Sequence, residues 1–171
     1  MGYHTEFSGS FAVTPALKPE HIEYLRLFSR TRRLGRNASK AAALHDPVRE
    51  AAGLPIGEKG AYFTGGTGFY GQDRDPSVLD SNHAPLGQPG LWCMWTPSDD
   101  GTAIEWDGGE KFYNYTEWMA YILEHFIKPW GYTLNGGVTW DGEERGDLGL
   151  IAIEDNAMTV KHGYIEWRRR R

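Results

Sequence analysis

The 171-residue chain carries a net charge of −5, with 40% hydrophobic and 24% charged residues. This composition predicts one folded domain over 1–171 and excludes a disordered chain. A single cysteine excludes an intramolecular disulfide and predicts a reducing, cytoplasmic location. No apolar run approaches the roughly 20 residues that span a bilayer, and the first residues lack the pattern of a signal peptide. We therefore expect no membrane partner.

The first unit is predicted to be a strand followed by a helix. Apolar residues alternate with small polar ones between Phe7 and Val13, as in a half-buried strand over 6–15. Pro19 suits the first turn of a helix, which we expect over 19–34. Three apolar residues at spacings of three give this helix one apolar stripe: Ile22, Leu25 and Phe28.

The next region, 35–90, is predicted to be an irregular insertion. The pattern indicates short helices at 38–44 and 48–54 and a short strand at 61–64, but glycine, proline and asparagine dominate the remainder. A long irregular segment in a compact domain usually has a function or is disordered. We therefore expect the functional surface in the 60–90 loop.

The second half predicts the remainder of an α+β fold. The expected elements are a central hairpin with strands over 91–96 and 103–107, a helix ending at Pro129, and strands over 133–141 and 148–155. The segment 161–171 is expected to be a basic tail or a short extra strand. Asp100-Gly101 is typical of the turn in such a hairpin. The order of elements favours a mainly antiparallel sheet with two helices on one face. The nearest simple topology is a ferredoxin-like split βαβ arrangement with a long insertion.

Three carboxylates are the candidate catalytic groups. Glu105, Asp107 and Glu110 flank the Gly108-Gly109 pair, where a strand leads into the second helix. Backbone amides near a helix N-terminus can bind an anion, and carboxylates can act on protons or hold a metal. The alternative is that these side chains simply face water while Trp106 enters the core.

A second oxygen-rich cluster lies in the long loop and comprises Asp73, Asp75, Asp80 and Asn82. Its spacing does not match a calcium-binding loop of the EF-hand type, and turn formation explains the same residues. The six histidines and Cys93 show no spacing typical of a zinc site. We therefore predict no metal and no cofactor.

A basic run with no acid between 26 and 40 includes Arg32, Arg33 and Arg36. It is either a solvated helix face or a contact surface. Arginine pairs well with phosphate, but a pI near 5.7 makes a nucleic-acid partner the weaker expectation. Arg, Trp and Tyr are enriched at protein interfaces, so a protein partner is expected first and a small ligand second. The residues predicted to bind the partner or ligand are Arg32, Arg33, Arg36, Tyr70, Asp73, Asp75, Asn82 and Trp95.

Three segments resemble small uncharacterised proteins of actinobacteria and their phages. They are Phe11-x-Val13-x-Pro15-x-Leu17-x-Pro19-Glu20-His21, Gln88-Pro-Gly-Leu-Trp-Cys-Met-Trp95 and Ile104-Glu-Trp-Asp-Gly-Gly-Glu-Lys-Phe-Tyr113. In the second half, Trp140-Asp-Gly-Glu-Glu-x-Gly-Asp-x-Gly149 is similar to the Api92-like domains of phages and plasmids. This likeness implies a ferredoxin-like fold and a mobile-element setting, and it implies no catalytic residue.

Three hypotheses follow from the sequence. The first is a non-catalytic binding protein, encoded by a phage or mobile element, that docks on a host protein or small ligand. The second is a small enzyme acting on a nucleotide or nucleic acid through the carboxylates Glu105, Asp107 and Glu110. The third is a nucleic-acid-binding module without sequence preference.

Overall fold

The computed structural model describes residues 2–65 and 75–171. Two sheets and four α-helices lie within these ranges. The strands are β1 (Thr5–Thr14), β2 (Gly35–Arg36), β3 (Val78–Asp80), β4 (Trp95–Pro97), β5 (Ala103–Trp106), β6 (Thr133–Gly142), β7 (Leu148–Glu154) and β8 (Ala157–His162). The α-helices are α1 (Pro19–Arg30), α2 (Ala38–Ala42), α3 (Pro47–Ala51) and α4 (Tyr115–Ile122). A 3₁₀ turn covers Glu58–Gly60, and α4 continues into a π-helical turn at Leu123–Ile127.

Six strands form one sheet in the order β4-β5-β1-β6-β7-β8, and every neighbouring pair is antiparallel. β2 and β3 form a separate two-stranded ribbon. The α+β class and the mainly antiparallel sheet predicted from the sequence are therefore confirmed.

The alternation along the strands decides which face of the sheet is covered. On β1, Phe7, Phe11 and Val13 are buried while Ser8 and Ser10 between them are exposed. The same alternation continues across the sheet, because opposite residues of paired strands point to the same face. The buried face shares one apolar core with the stripes of α1 and α4, and the other face is open.

The first helix ends four residues earlier than predicted. Thr31 adopts an extended backbone and its hydroxyl donates to the Leu27 carbonyl at 2.7 Å. Two residues on, the backbone N–H of Arg33 donates to the carbonyl of Leu91 at 2.8 Å. This long-range bond takes the place of the hydrogen bond that the Arg33 N–H would make inside a longer helix. A local sequence pattern cannot reveal it.

Three further expectations need correction. The strand expected at 61–64 is not formed, since the chain there makes turns after the 3₁₀ segment. The predicted central hairpin lies at one side of the sheet, where β4 is an edge strand of three residues. The last strand, β8, begins before the segment 161–171 for which a basic tail or a short extra strand was expected, because Asp155 and Asn156, both with positive φ, make the tight turn that pairs it with β7.

Candidate functional site

A cavity of about 530 Å³ lies between the 88–94 segment and the loop that leads into α4. Its walls are mainly apolar and aromatic, with one acid and one base. The lining residues are Gly90, Leu91, Trp92, Met94, Glu110, Lys111, Tyr113 and Asn114. Tyr113 is half exposed, so part of the cavity wall faces solvent.

Backbone geometry shapes this cavity. Lys111 and Asn114 both adopt positive φ, at 61° and 55°, which residues with a side chain rarely do. Two hydrogen bonds tie the walls together. The Asn114 amide donates to the Pro89 carbonyl at 2.7 Å, and the Asp107 backbone N–H donates to the Met94 carbonyl at 3.0 Å. The two walls are thus held in a fixed relation by contacts that are distant in sequence.

Trp118 lies behind the cavity on α4. Its side chain is fully buried and packs edge-on against Phe28 and Tyr121, with ring centroids 6.0 and 5.5 Å away. Its indole Nε1 is buried and has no hydrogen-bond partner among the described residues. A Cβ placed on Gly90 would lie 3.7 Å from this nitrogen. Such an unmade hydrogen bond is uncommon in a core and costs about 1–3 kcal/mol.

The structure separates the three carboxylates predicted to act together. Glu105 is exposed on the open face of the sheet, opposite Thr96 of β4. Asp107 folds back, and its Oδ1 accepts the Gly109 backbone N–H at 2.8 Å. Desolvation raises the pKa of Asp107, partly offset by that hydrogen bond. Glu110 alone lines the cavity.

Two of the three predicted arginines are not on the surface. Arg33 is 2% exposed, and its Nη2 donates to the carbonyls of Ala61 and Phe63 at 2.9 and 2.8 Å. Its guanidinium lies 4.2 Å from the Phe28 ring centroid. Desolvation lowers the pKa of Arg33. The solvated helix face considered for this run is therefore wrong for Arg33, which lies inside the protein and beyond the end of α1.

Arg36 is also 2% exposed, and it joins one predicted site residue to another. It donates to the carboxylate of Asp75 and, at 2.8 Å, to the hydroxyl of Ser77, while its guanidinium lies 4.3 Å from the Phe63 ring centroid. These contacts join Arg36 to both described parts of the region 35–90, the part that ends at residue 65 and the part that begins at residue 75. Arg32 is half-buried, with its Nε unpartnered among the described residues.

The remaining predicted residues fall in three places. Trp95 is 1% exposed, and its indole donates to the Tyr115 carbonyl at 2.9 Å, so it belongs to the core and not to a contact surface. Asn82 is exposed in a turn, where its N–H donates to Asp80. Tyr70 and Asp73 lie outside the described residues.

Cys93 is not an exposed nucleophile. Its side chain is fully buried, and desolvation raises the pKa of the thiol to about 12. The thiolate needed for attack is therefore scarce at neutral pH. Within the described ranges, no group of three or more His, Cys, Asp or Glu residues is placed to hold a metal ion.

Sequence reasoning missed most of the cavity wall. The 88–130 stretch is rich in tryptophan, yet the lining aromatics Trp92 and Tyr113 were not selected from it. The available indication in the sequence was a turn-forming pair near each wall, Pro89-Gly90 and Gly108-Gly109.

The comparisons with known proteins add no relative. No protein-family model matches the chain, and neither the curated proteins nor the solved structures yield a significant match. No helix in the described part of the chain is long and apolar enough to cross a bilayer.

Proposed function

We propose that this chain is a non-catalytic binding protein that takes up a small, mainly apolar molecule in the cavity beside α4. The observation that carries the proposal is the cavity itself, with aromatic and aliphatic walls fixed by long-range hydrogen bonds. Ligand pockets are typically clefts of about 300–1,000 Å³ with apolar walls and a few polar groups. The 530 Å³ cavity has this character.

The polar groups at the cavity favour an uncharged ligand. Glu110 and Lys111 are neighbours in the wall and carry opposite charges, so they give the cavity little net charge. An ionised ligand would lose hydration against the apolar walls without a strong compensating partner. Trp92 and Tyr113 instead offer flat faces for an aromatic or aliphatic body.

The alternative of an enzyme has less support. The three candidate carboxylates lie in different settings, with Glu105 on the open sheet face and Asp107 bound to a backbone amide. The buried thiol of Cys93 is protonated at neutral pH. A binding role requires none of these groups to react.

We also propose that four strands of the six-stranded sheet, β1, β4, β5 and β6, form a ferredoxin-like split βαβ unit. The strands β7 and β8 add a hairpin to one edge of this unit. The strand order β4-β5-β1-β6, with α1 and α4 as the connections, supports this proposal. A phage or mobile-element origin, a protein partner and a cytoplasmic location stay predictions.

The test is a screen of small aromatic and aliphatic compounds by ligand-detected NMR, followed by titration of any hit. Trp92→Ala removes one wall and is expected to weaken binding about tenfold or more. Trp167→Ala removes a tryptophan that is 80% exposed on the C-terminal tail and serves as the matched control. No binding to the folded wild type, or equal affinity for wild type and Trp92→Ala, would overturn the proposal.

A further inference from the structure

The segment 164–171, which follows β8, is basic although the whole chain carries a net charge of −5. It contains four arginines, at positions 168–171, and one acid, Glu166. All of its residues are exposed, and Tyr164 and Trp167 keep 81% and 80% of their surface accessible to solvent. Tryptophan, tyrosine and arginine are the residue types that contribute most to binding energy at contact surfaces. The segment therefore presents a cationic and aromatic surface to solvent.

Trp167 is covered on one side only. Arg145, in the turn between β6 and β7, places its guanidinium over the indole ring, with the central carbon 5.1 Å from the ring centroid. A cation over an aromatic face is a favourable contact. Because Trp167 is nevertheless 80% exposed, the opposite face of the indole is free to take a second flat group. The folded domain thus positions the ring and leaves its outer face open.

Three of the four arginines in the segment are available to a ligand. Arg168 pairs with Glu166 at 2.9 Å. Arg169, Arg170 and Arg171 are exposed, and none of them pairs with an acid in the part of the chain that the structure describes. A guanidinium binds phosphate through two parallel hydrogen bonds. Since the segment forms neither helix nor strand, these side chains can follow phosphates spaced along a flexible chain.

We propose that the segment 164–171 binds single-stranded nucleic acid without sequence preference. One base stacks on the open face of Trp167, another stacks on Tyr164, and the arginines at 169–171 pair with phosphates. Binders of this kind combine stacking rings with positive charge along the nucleic-acid backbone. The pI near 5.7 describes the whole chain, whereas a phosphate responds to nearby charge because exposed charges beyond about 10 Å are screened.

An anionic membrane surface offers the same negative charge but fits the segment less well. Arg145 lies against the indole of Trp167. If this ring entered the apolar layer, the guanidinium would either follow it and lose its hydration or give up the contact, and both are unfavourable. A base that stacks on the outer face leaves Arg145 in place and in contact with water.

The nucleic-acid site is independent of the proposed ligand cavity. No residue that lines the cavity belongs to the segment 164–171. Binding of a strand and binding of a small apolar molecule can therefore be measured separately, and either can fail without the other.

Two ligands with the same phosphates distinguish base stacking from charge. One is an oligothymidylate of about twelve nucleotides, and the other is an abasic strand of the same length. Both carry a fluorescent label, and dissociation constants are measured by anisotropy at several salt concentrations. The wild type is expected to bind the oligothymidylate about tenfold more tightly than the abasic strand. Three phosphate contacts predict a slope of about −2 for the logarithm of the binding constant against that of the salt concentration.

Four exposed-site variants assign the contacts. Trp167→Ala is expected to weaken oligothymidylate binding about tenfold and abasic binding little, and Trp167→Phe should restore part of the loss because it keeps a ring. Arg170→Gln should weaken binding of both strands and make the salt slope shallower by about 0.7. Arg30→Gln is the matched control, because Arg30 is an exposed arginine on α1.

The proposal is overturned if the wild type does not bind the oligothymidylate at low salt, or if it binds both strands equally. It is also overturned if Trp167→Ala keeps the wild-type affinity, or if Arg30→Gln weakens binding as much as Arg170→Gln. Sedimentation with phosphatidylserine vesicles is the last arm. Binding to these vesicles without binding to the oligothymidylate would replace the nucleic-acid site with a membrane-surface site.

Discussion

Arg36 and Asp75 form an ion pair that is almost fully enclosed, with side chains 2% and 15% exposed. The two residues are 39 positions apart. Ser77 completes the arrangement, since its hydroxyl accepts from Arg36 and its carbonyl accepts the Asn37 backbone N–H at 2.7 Å. The polar cluster thus joins Arg36 and Asn37, near the start of the region 35–90, to Asp75 and Ser77 in its later described part.

Removing one partner of this pair should destabilise the protein. Arg36→Met leaves the Asp75 carboxylate poorly hydrated and unpaired, and we expect the free energy of unfolding to fall by about 3 kcal/mol. Urea denaturation followed by fluorescence measures this. Arg168→Met is the control, because its pair with Glu166 is exposed on the tail and contributes little. Equal stability of the two variants would contradict the prediction.

Asp75 should also make the protein sensitive to acid. Although desolvation raises the pKa of Asp75, hydrogen bonds from Ser77 and Arg36 outweigh it and lower the pKa below the ordinary 3.8. The folded state therefore binds this proton less readily than the unfolded state. Stability is retained above pH 3.8 and lost as the pH falls through the folded pKa. In the Asp75→Asn variant, the unfolding free energy measured by urea titration should fall less steeply between pH 5 and pH 2 than in the wild type. An equally steep fall in both proteins would show that other groups cause the acid sensitivity.

His21 predicts a second loss of stability at mildly acidic pH. Its ring stacks on Trp130, with centroids 3.8 Å apart, and its Nδ1 lies 2.7 Å from the Tyr132 hydroxyl. That hydroxyl accepts the Lys18 backbone N–H and is placed to donate to Nδ1. Desolvation lowers the pKa of His21 from 6.5, partly offset by Glu20. Unfolding should therefore become easier as the pH falls below 6.5 toward the folded pKa.

The variant that tests this is His21→Phe, which keeps a flat ring against Trp130. Its unfolding free energy should depend less on pH between 5 and 7 than that of the wild type. The assignment fails if the two pH dependences coincide, or if the imidazole resonances of His21 in the folded protein titrate above pH 6.5.

Cys93 should resist modification in the folded protein. Burial makes its thiol inaccessible and raises the pKa to about 12, so the reactive thiolate is rare at pH 8. We expect an aromatic disulfide reagent to label it at the rate of global unfolding, and rapidly in denaturant. Fast labelling without denaturant would show that the core around Cys93 opens locally.

Replacing either of two glycines with positive φ by alanine should lower the stability of the protein, but by different amounts. Gly9 has φ of 106°, and an added Cβ would overlap the Gly137 carbonyl oxygen of the paired strand. Gly53 has φ of 72° with nothing within 4 Å of an added Cβ. Gly53→Ala should cost about 1 kcal/mol from the backbone alone, and Gly9→Ala about 3 kcal/mol or more. Thermal denaturation of both variants provides the comparison, and equal losses would contradict it.

The local sequence patterns correctly predicted the strands and helices that bury one face, because burial of one face leaves a regular spacing of apolar residues. The alternation in β1 and the apolar stripes of α1 and α4 are visible along the chain, because each follows the repeat of its own secondary structure. The same information predicted antiparallel pairing and the α+β class. It could not predict that α1 ends at Arg30, because that depends on a bond between Arg33 and Leu91.

The sequence by itself thus determined the class of fold, the main strands and the two principal helices, since hydrophobic periodicity is a local property. Only the tertiary structure decided what the polar and aromatic residues do. Arg33 and Trp95, which the sequence suggested for a contact surface, are buried because partners distant in sequence accept their hydrogen bonds. Gly90 and Asn114 line one cavity only because the Asn114 amide donates to the carbonyl of Pro89, a residue distant in sequence. Burial and hydrogen-bond partnership depend on which segments meet in space, and no single stretch of sequence contains that information.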